Sequence, residues 1–173
     1  MVKLRSFKCY KTVKRAYTRK SKYKKKNYIS NIPNHVISRF IMGDINKNFK
    51  YKVVLVSKQN IQIRHNSIES ARLIGNRRLV EKLGNNFRFM INMYPHHALR
   101  ENKMIGGAHA DRIQSGMAHS FGKVMSSAAQ IKKGGALFTA HVDKENIEAA
   151  RECMNAMRHK LPTTCIIEVF ENK

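Results

Sequence analysis

Residues 1–28 hold 12 Lys or Arg and no Asp or Glu, and no polypeptide folds such a stretch on itself. Like charges repel, and the apolar area present is too small to offset about 1–2 kcal/mol of backbone ordering entropy per residue. The stretch therefore needs a negative surface to order on. Phe7, Tyr10, Tyr17, Tyr23 and Tyr28 are interleaved with the cations. That mixture suits nucleic acid, because Lys and Arg neutralise phosphates while rings stack on unpaired bases or lie against sugars. A solvated tail is the alternative for an ordinary charge run, and 12 to 0 with five rings argues against it.

The same imbalance runs through most of the chain. Over 173 residues Lys and Arg number 34 against 11 Asp and Glu, a formal charge of +23, beyond what solubility alone favours. Residues 143–173 hold six acidic side chains against five basic ones, which leaves 29 basic against 5 acidic, a net +24, in the first 142. A polyanion partner is expected on that larger part. Nucleic acid fits better than a membrane, since no apolar run approaches the roughly 18 residues of a span and no long basic amphipathic helix is evident. Cys9, Cys153 and Cys165 form no C-x-x-C pair and are too scattered for a disulfide framework, which suits a reducing compartment. The N-terminus lacks the apolar middle of a secretory signal and is read as part of the mature chain. With 42% apolar residues the length suffices for one domain with a real core.

Periodicity places the elements. Residues 36–42 form a short extended stretch ended by a Gly43-Asp44 turn, and YKVVLVS at Tyr51–Ser57 is apolar on both faces near its middle, the mark of a buried strand. Ile61 and Ile63 flank Gln62 in a second extended piece. Asn66, with Glu69 three residues on, resembles a capping box opening a helix with Ile68, Ala71, Gly75, Leu79 and Leu83 on one face and Gly84 at its end. Arg72, Arg77, Arg78 and Lys82 are spread around that helix, with solvation the alternative to RNA contact. Phe87, Phe89, Ile91 and Met93 then alternate as a half-buried strand, which Pro95 stops.

Residues 93–122 carry four of the nine glycines, mixed charges and no sustained period, and read as a long functional loop. After it residues 126–131 are weakly patterned, and Ala136, Phe138, Ala140 and Val142 alternate as a strand. Asp143 reads as the cap of a helix carrying Ile147, Ala150, Met154, Met157 and Leu161, which Pro162 closes, and Cys165, Ile167 and Val169 line a last strand. The order is strands, helix, strand, loop, strand, helix, strand. It predicts an α+β fold with two helices on one side of a mostly antiparallel sheet, a basic extension over residues 1–30, and a single domain over 31–173 with a functional loop at about 97–117.

Catalytic readings find little support. His96, His97, His109 and His119 cluster near the loop without an H-x-x-x-H helix or a Cys/His quartet, so no metal is expected. Glu101 and Asp111 each adjoin a cation, Arg100 and Arg112, and local ion pairing accounts for them. Gly106-Gly107 lacks the Lys-Ser/Thr of a phosphate loop and reads as a hinge. No enzyme activity and no cofactor are expected.

Several motifs match a known pattern over nearly the whole chain. They are Cys9-Tyr10-Lys11, Tyr17-Thr18-Arg19-Lys20, Gln62-Ile63-Arg64-His65-Asn66 with Glu69, Ala71 and Arg72, Tyr94-Pro95-His96-His97, Leu99-Arg100-Glu101-Asn102-Lys103-Met104, Ala110-Asp111-Arg112, Gly116-Met117 and Phe121-Gly122-Lys123. In these the sequence resembles the archaeal and eukaryotic large-subunit ribosomal protein family "ten-e", the counterpart of bacterial large-subunit protein sixteen. Val124 stands where that family usually has Pro, and Gln130 where it usually has Arg.

The resemblance implies an α/β-hammerhead fold and a cytoplasmic, structural rRNA-binding protein at the base of the central protuberance. It implies a loop, at about residues 101–115, that reaches toward the peptidyl transferase centre beside the aminoacyl-tRNA site. The expected rRNA contacts are Arg5, Lys8, Tyr10, Lys11, Lys14, Arg15, Tyr17, Arg19, Lys20, Arg64, His65, Arg72, Arg77, His96, His97 and Lys123. Arg100, Asn102, Lys103, Gly106, Gly107, Asp111 and Arg112 are the loop residues expected near tRNA. Neighbouring ribosomal proteins are expected partners, and neither a membrane nor a homo-oligomer is. The rival reading is a free RNA-binding chaperone or regulator.

Overall fold

The computed structural model describes residues 5–11, 13, 23, 25, 29, 31–118 and 121–172. Eight strands run in chain order: β1 (Ile41–Gly43), β2 (Tyr51–Ser57), β3 (Ile61–Arg64), β4 (Arg88–Ile91), β5 (His97–Glu101), β6 (Lys123–Ile131), β7 (Ala136–Val142) and β8 (Cys165–Glu171). Helix α1 (His65–Leu83) follows β3, the single-turn α2 (Ala110–Ile113) lies between β5 and β6, and α3 (Ile147–Arg158) precedes β8. Phe7–Tyr10 and Lys144–Asn146 are 3-10 turns. The class is α+β with antiparallel pairing, as the sequence predicts.

The strands form two sheets rather than the one expected. Five pair in the order β1-β4-β7-β2-β8 and three in the order β3-β6-β5. The chain crosses between the sheets four times, and two of the crossings, from β2 to β3 and from β6 to β7, are tied together. Gly134 N–H donates to Ser57 O at 2.9 Å, Ser57 N–H to Gly135 O at 3.1 Å, and Lys133 N–H to Asn60 Oδ1 at 2.7 Å. Gly134 sits at φ +79°, a left-handed conformation that glycine adopts without steric cost.

The helices share the two sheets: α3 packs on β2, β7 and β8, α1 packs on β3 and β6, and the helices pack on each other. A Cβ at Gly75 of α1 would overlap the Met157 thioether of α3, so the bare backbone there lets the two helices approach. One apolar cluster draws on both sheets and both helices. At its centre the Phe89 and Phe138 rings stack on adjacent strands with centroids 5.6 Å apart.

Two expected caps are replaced by ion pairs. No side-chain cap closes the start of α1. Asn66 Oδ1 accepts only from the adjacent Ser67 N–H, and Glu69 turns instead to Arg72, with Nε–Oε2 at 2.8 Å and Nη2–Oε1 at 2.6 Å. Asp143 precedes the 3-10 turn rather than α3 itself, and its carboxylate takes Lys47 Nζ at 2.9 Å. Gly84 ends α1 as expected, at φ +60° with its N–H on Val80 O.

Candidate nucleic-acid interface

The start of the basic segment is latched to the three-stranded sheet. Phe7 packs against the core, and Arg64 and Gln62 of β3 donate to the tail's carbonyls, Nη1 to Arg5 O at 2.8 Å and Nε2 to Tyr10 O at 3.1 Å. Gln130 of β6 steadies Gln62 through Nε2 to Oε1 at 3.0 Å, and the Arg64 guanidinium lies over the Tyr10 ring, 5.6 Å from its centroid. Burial and the nearby Glu101 charge push the Tyr10 phenol up, so it stays a neutral donor. Residues 5–11 thus find their negative partner within the chain: Arg5 Nε donates to Glu101 Oε1 at 3.2 Å, on a carboxylate only 8% exposed. That corrects the reading of Glu101 as a local partner of Arg100.

Arg100 is committed elsewhere. Its guanidinium stacks on Phe121 at 4.1 Å from the centroid and donates to Gly122 O. The expected loop is correspondingly shorter than 93–122, because its first part is β5, which pairs with β6 as far as Glu101 opposite Lys123. What leaves the sheet is residues 102–122. A Cβ at Gly122 would overlap the Glu101 carbonyl and the Asn102 amide, so glycine brings the loop's two legs together.

Gln114 then clasps them. Its Nε2 donates to Asn102 Oδ1 at 3.1 Å and Lys103 O at 3.0 Å, and its Oε1 accepts from Ile105 N–H at 2.8 Å. Beyond the clasp Lys103, Asp111 and Arg112 are exposed, with Met104, Ile105, Ile113 and Met117 between them at 46–72% exposure. His109 at φ +62° and Gly107 at φ +129° bend the tip, while a Cβ at Gly106 would meet open space.

Two histidines of this region, His65 and His97, are shifted toward the neutral form. Burial pushes the His97 imidazole down, with His96 adding to it, and burial followed by His35 and Arg64 does the same to His65. His65 Nδ1 accepts from Val36 N–H at 3.2 Å. His96 Nδ1 donates to Tyr94 O at 3.0 Å. Nearby, Tyr94 stacks on Phe40 at 5.7 Å and His35 meets both rings edge-on, beside a cavity of about 580 Å³ lined by Pro33, His35, Tyr94, His96 and Ser127. Among the described residues no three His, Cys, Asp or Glu side chains converge on a metal position.

Comparison with known proteins matches residues 17–168 to the model of the family described as ribosomal protein L16p/L10e. Relatives named large ribosomal subunit protein uL16 align over nearly everything. The one from Methanococcus maripaludis strain S2 is 42% identical over 98% of this chain and 96% of its own, and that from Sulfolobus acidocaldarius is 41% identical over 96% and 93%. The chain belongs to the ribosomal protein L16p/L10e family. As an L16p/L10e protein it is a structural, non-enzymatic component of the large ribosomal subunit, located in the cytoplasm, with rRNA and other ribosomal proteins as its partners.

Within this L16p/L10e chain the anticipated contact residues fall into distinct settings. Arg5, Tyr10, Arg64, His65, His96 and His97 come together along the three-stranded sheet with Lys8 and Lys11 exposed beside them, and Lys123 opens β6 at the loop's foot. Arg77 lies apart on α1, 81% exposed and held by Glu81 at 2.8 Å. Arg72 is a correction: it is 7% exposed, bound to Glu69 and directed at Met42 Sδ at 3.1 Å, so it braces α1 and has no face for a phosphate. Lys14, Arg15, Tyr17, Arg19 and Lys20 lie outside the described residues, as does His119.

Sequence alone assigns no role to Gln62, Gln130 or Gln114. Gln62 and Gln114 carried a signal, a polar side chain inside a strand pattern and one between two loop glycines, but only pairing shows their use.

Proposed function

We propose that the chain binds large-subunit rRNA near the central protuberance through residues 1–28 and the cations and rings along β3, β5 and β6, and presents residues 102–122 toward tRNA at the aminoacyl site and the peptidyl transferase centre. Arg5, Lys8, Lys11, Arg64 and Lys123 serve phosphates, His65 and His97 serve as neutral hydrogen-bond partners with His96 beside them, and the exposed Tyr94 ring offers a stacking face to an unpaired base. Lys103 and Arg112 neutralise phosphates where RNA strands converge, while Asn102 and Asp111 shape the turn around them and Gly106 and Gly107 leave room for a sugar-phosphate backbone. The observation that carries this reading is the loop's construction, closed at its foot by Gly122 and Gln114 and cationic at its tip.

The test combines sedimentation with accommodation. The wild-type chain is expected to stay with the large subunit through a moderate-salt gradient, where a free chaperone would run unbound. The Lys103→Ala, Arg112→Ala double variant should stay bound yet slow aminoacyl-tRNA accommodation. Unchanged accommodation on fully occupied subunits removes the tRNA role.

A further inference from the structure

On the face of the five-stranded sheet turned away from the core, one register level crosses all five strands. Arg88 of β4 stands opposite His141 of β7, His141 opposite Lys52 of β2, and Lys52 opposite Phe170 of β8, with Gly43 of β1 beyond Arg88. Their chain neighbours Phe89, Ala140 and Val53 point to the other face and are fully buried, which fixes the orientation. Three basic side chains therefore lie side by side on adjacent strands, and a charge on the middle one, His141, would stand directly opposite like charges unless something negative joins them.

Among the described residues nothing does so. Arg88, His141 and Lys52 make no ion pair among the described residues, and the Arg88 Nε is buried without a hydrogen-bond partner. The residues outside the description include no Asp or Glu. Glu168, one level along beside Val54, does not pair with Lys52, while Asp143, two residues after His141, is engaged by Lys47. Thr139 is occupied by Asn92 Nδ2 at 2.6 Å. Lys52 is steadied by the Phe170 ring, its Nζ 5.5 Å from the centroid. Burial, then Arg88, then Lys52 push the His141 imidazole down, so the ring is neutral until an anion arrives.

We infer that this row is a second rRNA-binding surface, a rung on which Lys52 and Arg88 hold backbone phosphates of an RNA strand lying across the sheet, with His141 between them as the group that takes up a proton when the strand binds. The inference rests on the rRNA-binding reading above and adds a face that the tail and loop do not use.

Two measurements test it on the full chain. In binding to a large-subunit rRNA transcript, Lys52→Gln with Arg88→Gln is expected to flatten the slope of log affinity against log salt by about 1.4–1.8, two phosphate contacts at roughly 0.7–0.9 each. In the wild type, the His141 ring should titrate at higher pH with a short rRNA hairpin bound than without. A slope lowered by Lys8→Gln with Lys11→Gln but not by the sheet pair overturns the rung and leaves rRNA binding standing. So does a His141 ring that titrates unchanged in the bound state, a result that needs no variant to fold. A wild-type chain with no salt-dependent affinity for the transcript overturns both readings.

Discussion

Replacing Gln114 with Ala removes its three hydrogen bonds to the loop's outgoing leg, on Asn102 Oδ1, Lys103 O and the Ile105 N–H. Among the described residues of the loop it leaves only the longer ones from Asn102 Nδ2 to Gly116 O at 3.4 Å and Met117 Sδ at 3.8 Å. Each of the three lost is worth about 0.5–1.5 kcal/mol net, and because Gln114 and Asn102 are half-buried the lower part of that range applies, giving about 2 kcal/mol in all. The loss is local. Residues 102–118 contribute nothing to the core cluster, so the cost falls on loop closure and leaves global unfolding unchanged. Native-state hydrogen exchange reads it directly: protection of the Ile105 amide should fall by about 30-fold, the ratio that corresponds to 2 kcal/mol. The thermal midpoint should stay put, as should exchange of the β2 amides. Gln114→Glu keeps an acceptor for Ile105 but sets oxygens against Asn102 Oδ1 and Lys103 O, so it should match or exceed the alanine effect. Unaltered Ile105 exchange in the alanine variant would show that Asn102, Gly122 and the sheet hold the legs without Gln114.

Three other outcomes follow from the geometry. Glu69→Ala strands the 7%-exposed Arg72 without its partner and should cost about 3 kcal/mol, roughly 6–12 °C in thermal midpoint for a chain of this size, and midpoints near the wild-type value would refute the bracing role. The same pair gives a pH dependence: Arg72 holds the Glu69 carboxyl below the usual range, so its stabilisation is complete above about pH 4.3 and is lost as pH falls through the depressed value, a decline that Glu69→Gln should abolish in melts taken from pH 6 downward. Gly122→Ala forces a methyl into the Glu101 carbonyl and should separate β5 from β6, seen as faster exchange of the Lys123 amide than in wild type; an unchanged rate would mean the legs need no such approach.

The strands that the sequence announces are those whose side chains decide their own fate. Tyr51–Ser57 is β2 to the residue, and Phe87, Phe89, Ile91 and Met93 are all buried as their alternation requires. β5 and β6 were hidden because they are built from HALRE and KVMSSAAQI, where Ser126, Ser127, Ala128 and Ala129 have little strand preference, and each is a strand only because the other lies beside it. Two sheets in place of one is the same failure at larger scale, since register across a crossing is a tertiary fact. Arg72 was legible in principle: Ile68, Ala71, Arg72, Gly75 and Leu79 follow the i, i+3, i+4, i+7 stripe, which sets Arg72 on the buried side and Arg77 off it. Arg5 with Glu101, separated by 96 residues, and the Lys52–His141–Arg88 row have no sequence signal, because sequence spacing does not report which strands become neighbours.

The Arg5–Glu101 pair also joins the start of the basic segment to the foot of the loop. Glu101 is the last residue of β5, and its carbonyl is the group against which Gly122 closes the loop, so the residue that receives the tail is the residue from which the loop departs. Arg64 holds Arg5 O from β3, Gln130 holds Gln62 from β6, and β6 then runs back to Lys123 at the loop's other foot. The tail is thus fastened to both edge strands of the three-stranded sheet, β3 and β5, and the loop leaves from β5 and returns on the middle strand β6. An rRNA strand that draws Arg5 onto a phosphate would free a carboxylate 8% exposed at the loop's base, and that buried charge would have to find another cation or tilt the end of β5 to reach water. Coupling between tail engagement and loop direction follows from that single shared residue, and Glu101→Gln, which keeps the shape and removes the charge, is the substitution that should uncouple them.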